Sequence, residues 1–216
     1  MSEGALTPER VLDAAEDVLR RFGPAKANVV DVARALGVSH GSVYRHFDSK
    51  VALREAVAER WLERLCAPLD EVVAGPEAAL ERIHLWFQRL GALKRARRAA
   101  DPELFATYVA LAGESRAVIG RHVDHLLGQL QALLDEAVAR GELAPMHTAE
   151  AARALFDATA RFHNPAHAVE WADPGIEAAF ERVWGLLRAG LRAPAEQHGL
   201  GSCTGGEEVG PAAAAS

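Results

Sequence analysis

Five side chains in one short stretch of the chain have the chemistry needed to contact DNA. The phenol of Tyr44 and the ammonium of Lys50 suit phosphate oxygens, which accept hydrogen bonds. His40, Ser42 and Arg45 carry groups that can reach the edges of bases in a groove. The whole chain has 216 residues and a net charge of −6. The pattern therefore predicts one local nucleic-acid contact surface in an otherwise acidic protein.

The basic character is concentrated in residues 34–54, which hold four Lys or Arg and one Asp, a net charge of +3. Half of all residues are apolar and a quarter are charged, as in a folded globular protein. The two cysteines provide neither a disulfide framework nor a thiolate metal site. The apolar runs are too short to span a membrane, and the start MSEGALTPER lacks the apolar core of a signal peptide. We therefore expect a cytoplasmic protein.

Two short helices joined by a glycine-containing turn must position these side chains. The first helix is expected over 29–36, with Asn28 as its cap. The second is expected over about 40–47, with Ser39 as its cap. Such a pair, here over about 28–47, is typical of a helix-turn-helix. Small residues at the start of the second helix would let it approach a groove closely.

Helical periodicity continues through most of the chain, so the expected fold class is all-α with about nine helices. A first helical domain is expected over 5–65 and a second over 66–192. The remaining residues, 193–216, have few large apolar side chains and are expected to be a disordered tail. The nine helices are expected at about 8–22, 29–36, 40–47, 50 to near 68, 76–98, from 102, 114–140, 148–164 and 174–191.

The run NVVDVARALGVSHGSVYRHFDSKVALREAV resembles the DNA-binding domain of the TetR family of transcriptional regulators. The matching features are the GVS turn, the V-Y-x-H-F core of the third helix and the S-K pair that follows it. The opening RVLDAAEDVLRRFG also fits the family pattern. The resemblance covers about residues 7–60, and the nine-helix layout extends it through 192. It implies a DNA-binding domain at 5–65 and a helical effector-binding and dimerisation domain at 66–192.

What the resemblance implies is a homodimer that binds a palindromic operator in double-stranded DNA. A small-molecule effector would bind the C-terminal helices and release the dimer from the operator, so the protein would be a repressor. The recognition helices of the two protomers would enter successive major grooves. No cofactor and no enzymatic activity are expected.

The resemblance also assigns residues that anchor the protein on phosphates. Tyr44, His46 and Lys50 occupy the family's phosphate-anchoring positions. Asn28 lies where family members often have a threonine that touches phosphate. These contacts would fix the position of the protein on the duplex without reading its sequence.

Base reading is assigned to the start of the third helix, at His40, Gly41 and Ser42. Two positions depart from the family pattern. Val30 stands where many members have a base-contacting arginine, which removes base reading by the second helix. Arg45 stands where many members have tyrosine or tryptophan, and its guanidinium could read guanine.

The C-terminal helices carry aromatic residues and histidines that could line an effector pocket or form an ordinary core. Composition does not separate these two roles, because bundle pockets and bundle cores use the same residue types. The candidate pocket residues are Trp86, Tyr108, His122, His125, Phe156, His163 and His167.

Four histidines within that set could form a metal site. His122 and His125 lie three residues apart on the seventh helix, whereas His163 and His167 lie near the end of the eighth. Imidazoles from two helices could bind Zn²⁺ or Ni²⁺. They could equally bind an anionic effector, or form hydrogen bonds to nearby carbonyls. No cysteine or clear carboxylate completes a metal set, which favours the structural role.

Two alternatives to a DNA-binding regulator remain at this stage. The first is a metal-dependent bundle enzyme, since Glu81-x-x-His84 matches one element of a di-iron site. No second Glu-x-x-His element accompanies it, and zinc is the other metal considered. The second alternative is a helical dimer that binds a protein partner and no longer binds DNA.

The last helix has a broad apolar stripe that predicts a dimer interface, together with the eighth helix. The alternative is that this stripe is core within one chain, and both roles can hold in part. The stripe consists of Phe180, Val183, Trp184, Leu187 and Leu191.

The basic run 94–98 lies at the end of the fifth helix, where positive charges interact favourably with the helix dipole. It is expected to be a solvated surface.

Overall fold

A computed structural model describes residues 5–23 and 28–192, and all regular structure in these ranges is helical. The expected disordered tail, 193–216, lies outside the described residues. The α-helices are α1 (Pro8–Phe22), α2 (Val29–Leu36), α3 (His40–Tyr44), α4 (Lys50–Cys66), α5 (Pro68–Val73), α6 (Ala79–Ala100), α7 (Pro102–Gly113), α8 (Arg116–Ala139), α9 (Thr148–Ala158), α10 (Ala160–His163) and α11 (Ile176–Leu191). A 3-10 helix, Pro165–Ala172, joins α10 to α11.

The first four helices begin at residues whose side chains cap them. The side-chain oxygens of Thr7, Asn28, Ser39 and Ser49 each accept a hydrogen bond from a backbone N–H in the first turn of the helix that follows. The turn between α2 and α3 contains Gly37 in the left-handed region, which glycine adopts without a steric penalty. The predicted helix-turn-helix is therefore confirmed as a local structure.

The described ranges contain eleven α-helices where about nine were expected, because a short helix follows the fourth predicted helix and the eighth predicted helix is divided. The fourth predicted helix ends at Cys66, and α5 begins anew at Pro68. The eighth is interrupted at Thr159, whose hydroxyl donates to the carbonyl oxygen of Leu155 at 2.8 Å. A hydroxyl that bonds back to the preceding turn disturbs helix geometry, which accounts for the break between α9 and α10.

Helix α6 is the centre of the C-terminal half and packs against α8. Its first turn has no cap of its own, and the carboxylate of Glu142 accepts from the backbone N–H groups of Ala79 and Leu80 instead. Trp86 is fully buried and donates its indole N–H to Gln129 on α8 at 2.9 Å. This half therefore has a packed core with a satisfied polar pair inside it.

The apolar stripe of α11 is mainly core within the chain, which corrects its expected role as a dimer interface. Phe180, Trp184 and Leu191 are buried, and the ring of His84 on α6 stacks on Trp184 at a centroid distance of 5.1 Å. Leu186, on the opposite side of the helix, is the only large apolar residue of α11 that is strongly exposed, at 78%. The stripe is broad because it packs against α6. The sequence alone does not show whether such a stripe packs against the same chain or against a second copy.

Helix α4 connects the two halves. Near its middle, the guanidinium of Arg60 donates to carboxylates of Asp13 and Glu16 on α1, so α4 is tied to the N-terminal domain. On its other side α4 packs against α7 and α8. A displacement of α4 relative to the C-terminal helices would therefore carry the helix-turn-helix with it.

None of the helices in the two described ranges combines the length and the apolar character that crossing a membrane demands.

Candidate DNA-contact surface and effector cavity

The start of α3 faces solvent, as base reading requires. His40 and Gly41 are exposed on its first turn. Val43 is fully buried and holds the opposite side of the helix against α1 and α2, so the orientation of α3 is fixed. The outward surface consists of small or polar side chains that a groove can accept.

Arg45 and Ser42 form a hydrogen-bonded set on the surface of α3. The guanidinium of Arg45 donates to the hydroxyl of Ser42 at 3.1 Å, and the hydroxyls of Ser42 and Ser39 lie 2.9 Å apart. Ser39 at the same time caps the helix. These contacts place the Arg45 guanidinium next to Ser42 on the surface of α3.

Three of the predicted phosphate-anchoring residues line one shallow groove. Asn28 precedes α2, Tyr44 ends α3 and Lys50 begins α4. The groove is also lined by Val29, Val30 and Asp31, whose carboxylate is paired with Arg34. The Tyr44 side chain is 46% exposed, and Lys50 at the first turn of α4 is exposed too. A phenol, an ammonium and helix N-termini at one groove form a suitable phosphate cradle.

The amide of Asn28 is already engaged with Asp31. Its oxygen accepts from the Asp31 backbone N–H at 3.0 Å, and its NH₂ donates to the Asp31 carboxylate at 2.7 Å. Asp31 is also held by Arg34 at 2.9 Å. Asn28 therefore caps α2, whereas Tyr44 and Lys50 make no such contact within the described residues. His46 is half-buried in the turn after α3.

A cavity of about 470 Å³ lies between α4 and the C-terminal helices. Its size is within the usual range for sites that bind small molecules. Most of its lining is apolar, and the exposed Asp157 and Asn164 lie at its rim. The lining residues are Trp61, Leu62, Leu65, Lys94, Phe105, Val109, Ala112, Gly113, Ile119, His122, Val123, Leu126, Phe156, Asp157, Ala160, His163, Asn164, Pro165 and Ala166.

Three of the seven predicted pocket residues line this cavity: His122, Phe156 and His163. Trp86 does not line it, and is core. Tyr108 does not line it either, because its ring stacks on Trp61 at a centroid distance of 4.8 Å and is 2% exposed.

The remaining two predicted pocket residues lie elsewhere. His125 lines a separate groove between α4 and α8, which also includes Glu59, Glu63 and His122. The Nδ1 atom of His167 lies 2.9 Å from the carboxylate of Glu170, on the 3-10 helix.

The four histidines do not assemble into the metal set that their spacing allowed. The described residues include no group of three or more His, Cys, Asp or Glu side chains that could hold a metal ion. The Nε2 atom of His163 is 3.1 Å from the carbonyl oxygen of Phe156, so it donates there. His167 is paired with Glu170, and His125 faces the other groove. For His163, the alternative to a metal site is therefore correct: its ring forms a hydrogen bond to a nearby carbonyl oxygen.

Lys94 is the cavity residue that sequence reasoning missed. It was grouped with the solvated run at the end of α6, but it is 6% exposed and lines the cavity. Its spacing carries the missed signal, since Ile83, Phe87, Leu90 and Lys94 recur at four, three and four residues on one side of α6. Burial lowers the pKa of Lys94 from its ordinary value.

The two cavity histidines are uncharged at neutral pH. Burial, together with the charge of Lys94, lowers the pKa of His163 to about 3. The same two causes lower the pKa of His122 to about 4. The nearby His167 and His125 contribute weakly in the same direction. Lys94 is the only lysine or arginine among the residues that line this cavity.

These shifts predict a loss of stability in acid. The unfolded chain takes up a proton at each histidine below pH about 6.5, whereas the folded chain does not until pH about 4 or below. Between these values, the free energy of unfolding falls by up to about 1.4 kcal/mol per pH unit for each histidine. In urea titrations from pH 7 to 4.5, His163→Gln should have a smaller pH slope than the unmodified protein. The exposed His147 is the control position, and an equal change of slope in His147→Gln would contradict the prediction.

Helix α4 contributes residues to both the phosphate groove and the cavity. Its first residue is Lys50 of the phosphate groove, and Trp61, Leu62 and Leu65 further along line the cavity. Arg54, between them, makes a bidentate ion pair with Glu114 at the junction of α7 and α8, at 3.0 and 2.6 Å. A molecule in the cavity would thus touch the helix that carries the DNA-contact surface.

Two family models match this chain. Residues 11–57 match the model of bacterial regulatory proteins of the tetR family, and residues 79–184 match a tetracyclin repressor-like C-terminal domain. Together they cover both halves of the described structure. The chain belongs to the TetR family of bacterial regulatory proteins, which confirms the resemblance in the sequence. Because this family consists of regulators, the alternative hypothesis of a metal-dependent bundle enzyme is rejected.

Individual relatives agree with this assignment. The HTH-type transcriptional regulator SrpR of Pseudomonas putida is 31% identical over 147 residues, 66% of this chain and 66% of SrpR. An uncharacterized HTH-type transcriptional regulator of Mycobacterium tuberculosis is 36% identical over 78 residues, 36% of this chain and 39% of that protein. The alignments thus cover just under two thirds of SrpR and about two fifths of the Mycobacterium protein.

Solved structures give the same fold. A solved structure titled "Molecular basis for control of antibiotic production by a bacterial hormones" is 29% identical, with a TM-score of 0.58 over 86% of this chain and 97% of that one. The transcriptional regulator FadR from Bacillus subtilis, in complex with stearoyl-CoA, has a TM-score of 0.59 over 85% of this chain and 99% of that one. At 18% identity, the second comparison supports the fold alone.

Proposed function

We propose that this chain is a sequence-specific DNA-binding transcriptional regulator, a homodimeric repressor released from its operator by a small molecule. The observation that carries the proposal is the groove shared by Asn28, Tyr44 and Lys50 beside the exposed first turn of α3. In this assignment Tyr44 and Lys50 bind phosphate, and His40 with Arg45 reads base edges. Because its target is DNA, we place the protein in the cytoplasm.

The proposed dimer uses the outward faces of α9 and α11. Leu186 is 78% exposed on α11, and Val169 on the 3-10 helix is 82% exposed. Gly185 and Ala189 on α11 and Ala158 on α9 are exposed small residues that permit close approach of two helices. Two large exposed aliphatic side chains beside small residues are suited to a second copy of the same surface.

Leu186→Glu should therefore convert the dimer to a monomer. The carboxylate would be buried against its own symmetry mate, which costs more than the interface gains from the remaining contacts. Sedimentation velocity at micromolar concentration measures the change. Phe22→Glu is the matched control, because Phe22 is 63% exposed on α1 in the other half of the chain and should leave the dimer intact. A Leu186→Glu protein that sediments as a dimer would place the interface elsewhere.

The proposed effector acts through α4. Trp61, Leu62 and Leu65 form one wall of the cavity, and the opposite walls come from α6 to α10. An effector that binds more tightly to one spacing of the two recognition helices shifts the dimer toward that spacing.

Selection from a random duplex library tests the proposal. The full chain should recover a palindromic motif with half-sites about one helical turn, or a simple multiple, apart. The selection is run at two salt concentrations, because binding through phosphates alone weakens steeply with salt on every sequence. Recovery of salt-sensitive binding without a motif would contradict a sequence-specific regulator.

A further inference from the structure

Lys94 is a buried lysine without a counter-charge. It lines the cavity at 6% exposure, and within the described ranges its amino group has neither a hydrogen bond nor an ion pair. The titratable groups that interact with it there are the imidazoles of His122 and His163 and the thiol of Cys66. Burial raises the pKa of that thiol, so Cys66 supplies no negative charge at neutral pH.

A second buried basic residue on α6, Arg82, has the partners that a buried charge needs. Arg82, 4% exposed, pairs with the carboxylate of Glu136 and donates to the carbonyl oxygens of Glu77 and Val73. A buried charge is stable when it is paired in this way. Lys94 lacks every such partner, and its surroundings are the wall of a cavity large enough for a ligand.

A second unsatisfied polar atom lies in the same cavity. The Nε2 atom of His122 is buried and has no hydrogen-bond partner in the described structure. The other cavity histidine, His163, has its Nε2 atom committed to the carbonyl oxygen of Phe156. Both imidazole rings line the cavity together with Lys94. The Nε2 atom of His122 has no exposed surface, which leaves the slightly exposed Lys94 as the unpaired group that a ligand can reach.

We propose that the cavity binds a monocarboxylic acid with an apolar body, whose carboxylate accepts from the Lys94 ammonium. The inference rests on the proposed function, since it names the chemical class of the effector. The apolar body would lie against the remaining lining, which includes Phe105, Ile119 and Leu126.

Charge balance favours this class over others. A neutral ligand would leave Lys94 without a counter-charge, and a phosphate dianion would bring one more charge than one ammonium can neutralise. The rim includes the carboxylate of Asp157, which opposes a ligand with further negative charges near the entrance. One carboxylate matches one ammonium.

Matched pairs of acid and alcohol test the charge directly. Decanoic acid is compared with decanol, and phenylbutyric acid with phenylbutanol, by isothermal titration of the full chain at neutral pH below the micelle concentration. At least one acid should bind about tenfold or more tightly than its alcohol, the effect of one charge-assisted hydrogen bond. Equal binding of acid and alcohol in both pairs, or binding of neither acid, would overturn the inference.

Substitutions then locate the contact. Lys94→Met should remove the preference for the acid and leave the binding of the alcohol unchanged or stronger. Lys94→Gln is a second variant that keeps a polar end, and should lose the preference too. Arg97→Met is the matched control, because Arg97 is an exposed cation one turn away on α6 and its loss should change nothing. An acid preference that persists in both Lys94 variants would contradict the assignment.

The two proposals fail separately. Binding of an acid that depends on Lys94, in a protein that selects no DNA motif, would support the cavity assignment and refute the regulator. Selection of a palindrome by a protein that binds acids and alcohols equally would support the regulator and refute the carboxylate. A Lys94-dependent acid that also lowers the affinity for the selected duplex supports both.

Discussion

The combined change Tyr44→Phe and Lys50→Ala is expected to weaken binding to every duplex by roughly a hundredfold or more. Each protomer would lose one phenol and one ammonium from the phosphate groove, so a dimer would lose four contacts. A hydrogen bond to a charged group contributes about 1.5–3 kcal/mol, and each 1.4 kcal/mol is a factor of ten in affinity. The loss should be the same on all sequences, since phosphate contacts carry no sequence information.

Salt titration separates the two residues. Lys50→Ala alone should reduce the slope of log affinity against log salt by about one per protomer, whereas Tyr44→Phe should leave the slope unchanged. Fluorescence anisotropy with a selected duplex measures both quantities. Arg97→Ala is the control, because Arg97 is an exposed cation on α6, outside the DNA-binding half. A full salt slope in Lys50→Ala would remove Lys50 from the phosphate contacts.

Trp86→Ala is expected to lower the free energy of unfolding by about 3–5 kcal/mol, as for other large-to-small changes of buried aromatic residues. Trp86 is fully buried, packs edge-on against Phe87 at 5.1 Å and donates to Gln129. Its removal would leave both a void and an unpaired amide. Urea denaturation of the full chain measures the change.

Phe156→Ala is the matched comparison for Trp86→Ala. Phe156 is a half-buried aromatic residue of α9 that lines the cavity, so part of its surface already faces open space. We expect a clearly smaller loss of stability than for Trp86→Ala, together with altered ligand binding. The reverse order of the two losses would show that Trp86 belongs to the pocket and Phe156 to the core.

The N-terminal half could be predicted from the sequence because local rules determine it. Thr7, Asn28, Ser39 and Ser49 cap the helices that follow them, and all four caps are present. The glycine turn after α2 also follows from its residue type. Each of these features depends on residues within one turn of one another, so spacing alone is informative. The domain boundary near residue 65 stays a prediction.

The C-terminal half depends on which helices face each other, and sequence spacing does not contain that information. Trp86 and Phe156 are both aromatic residues on amphipathic helices, yet one is core and the other lines a cavity. His122 and His125 share a helix, but only His122 faces the 470 Å³ cavity. Lys94 shows the same limit, because a lysine near a helix end is ordinarily solvated.

The most direct test of the account is the transcription of a reporter whose promoter overlaps the selected palindrome. The full chain, supplied in the same cells, should lower reporter output, and the Tyr44→Phe, Lys50→Ala variant at equal abundance should not. A scrambled palindrome is the matched control for the DNA. Output that is unchanged by the full chain, or lowered equally by the double variant, would contradict the claim that this surface makes the protein a DNA-binding repressor.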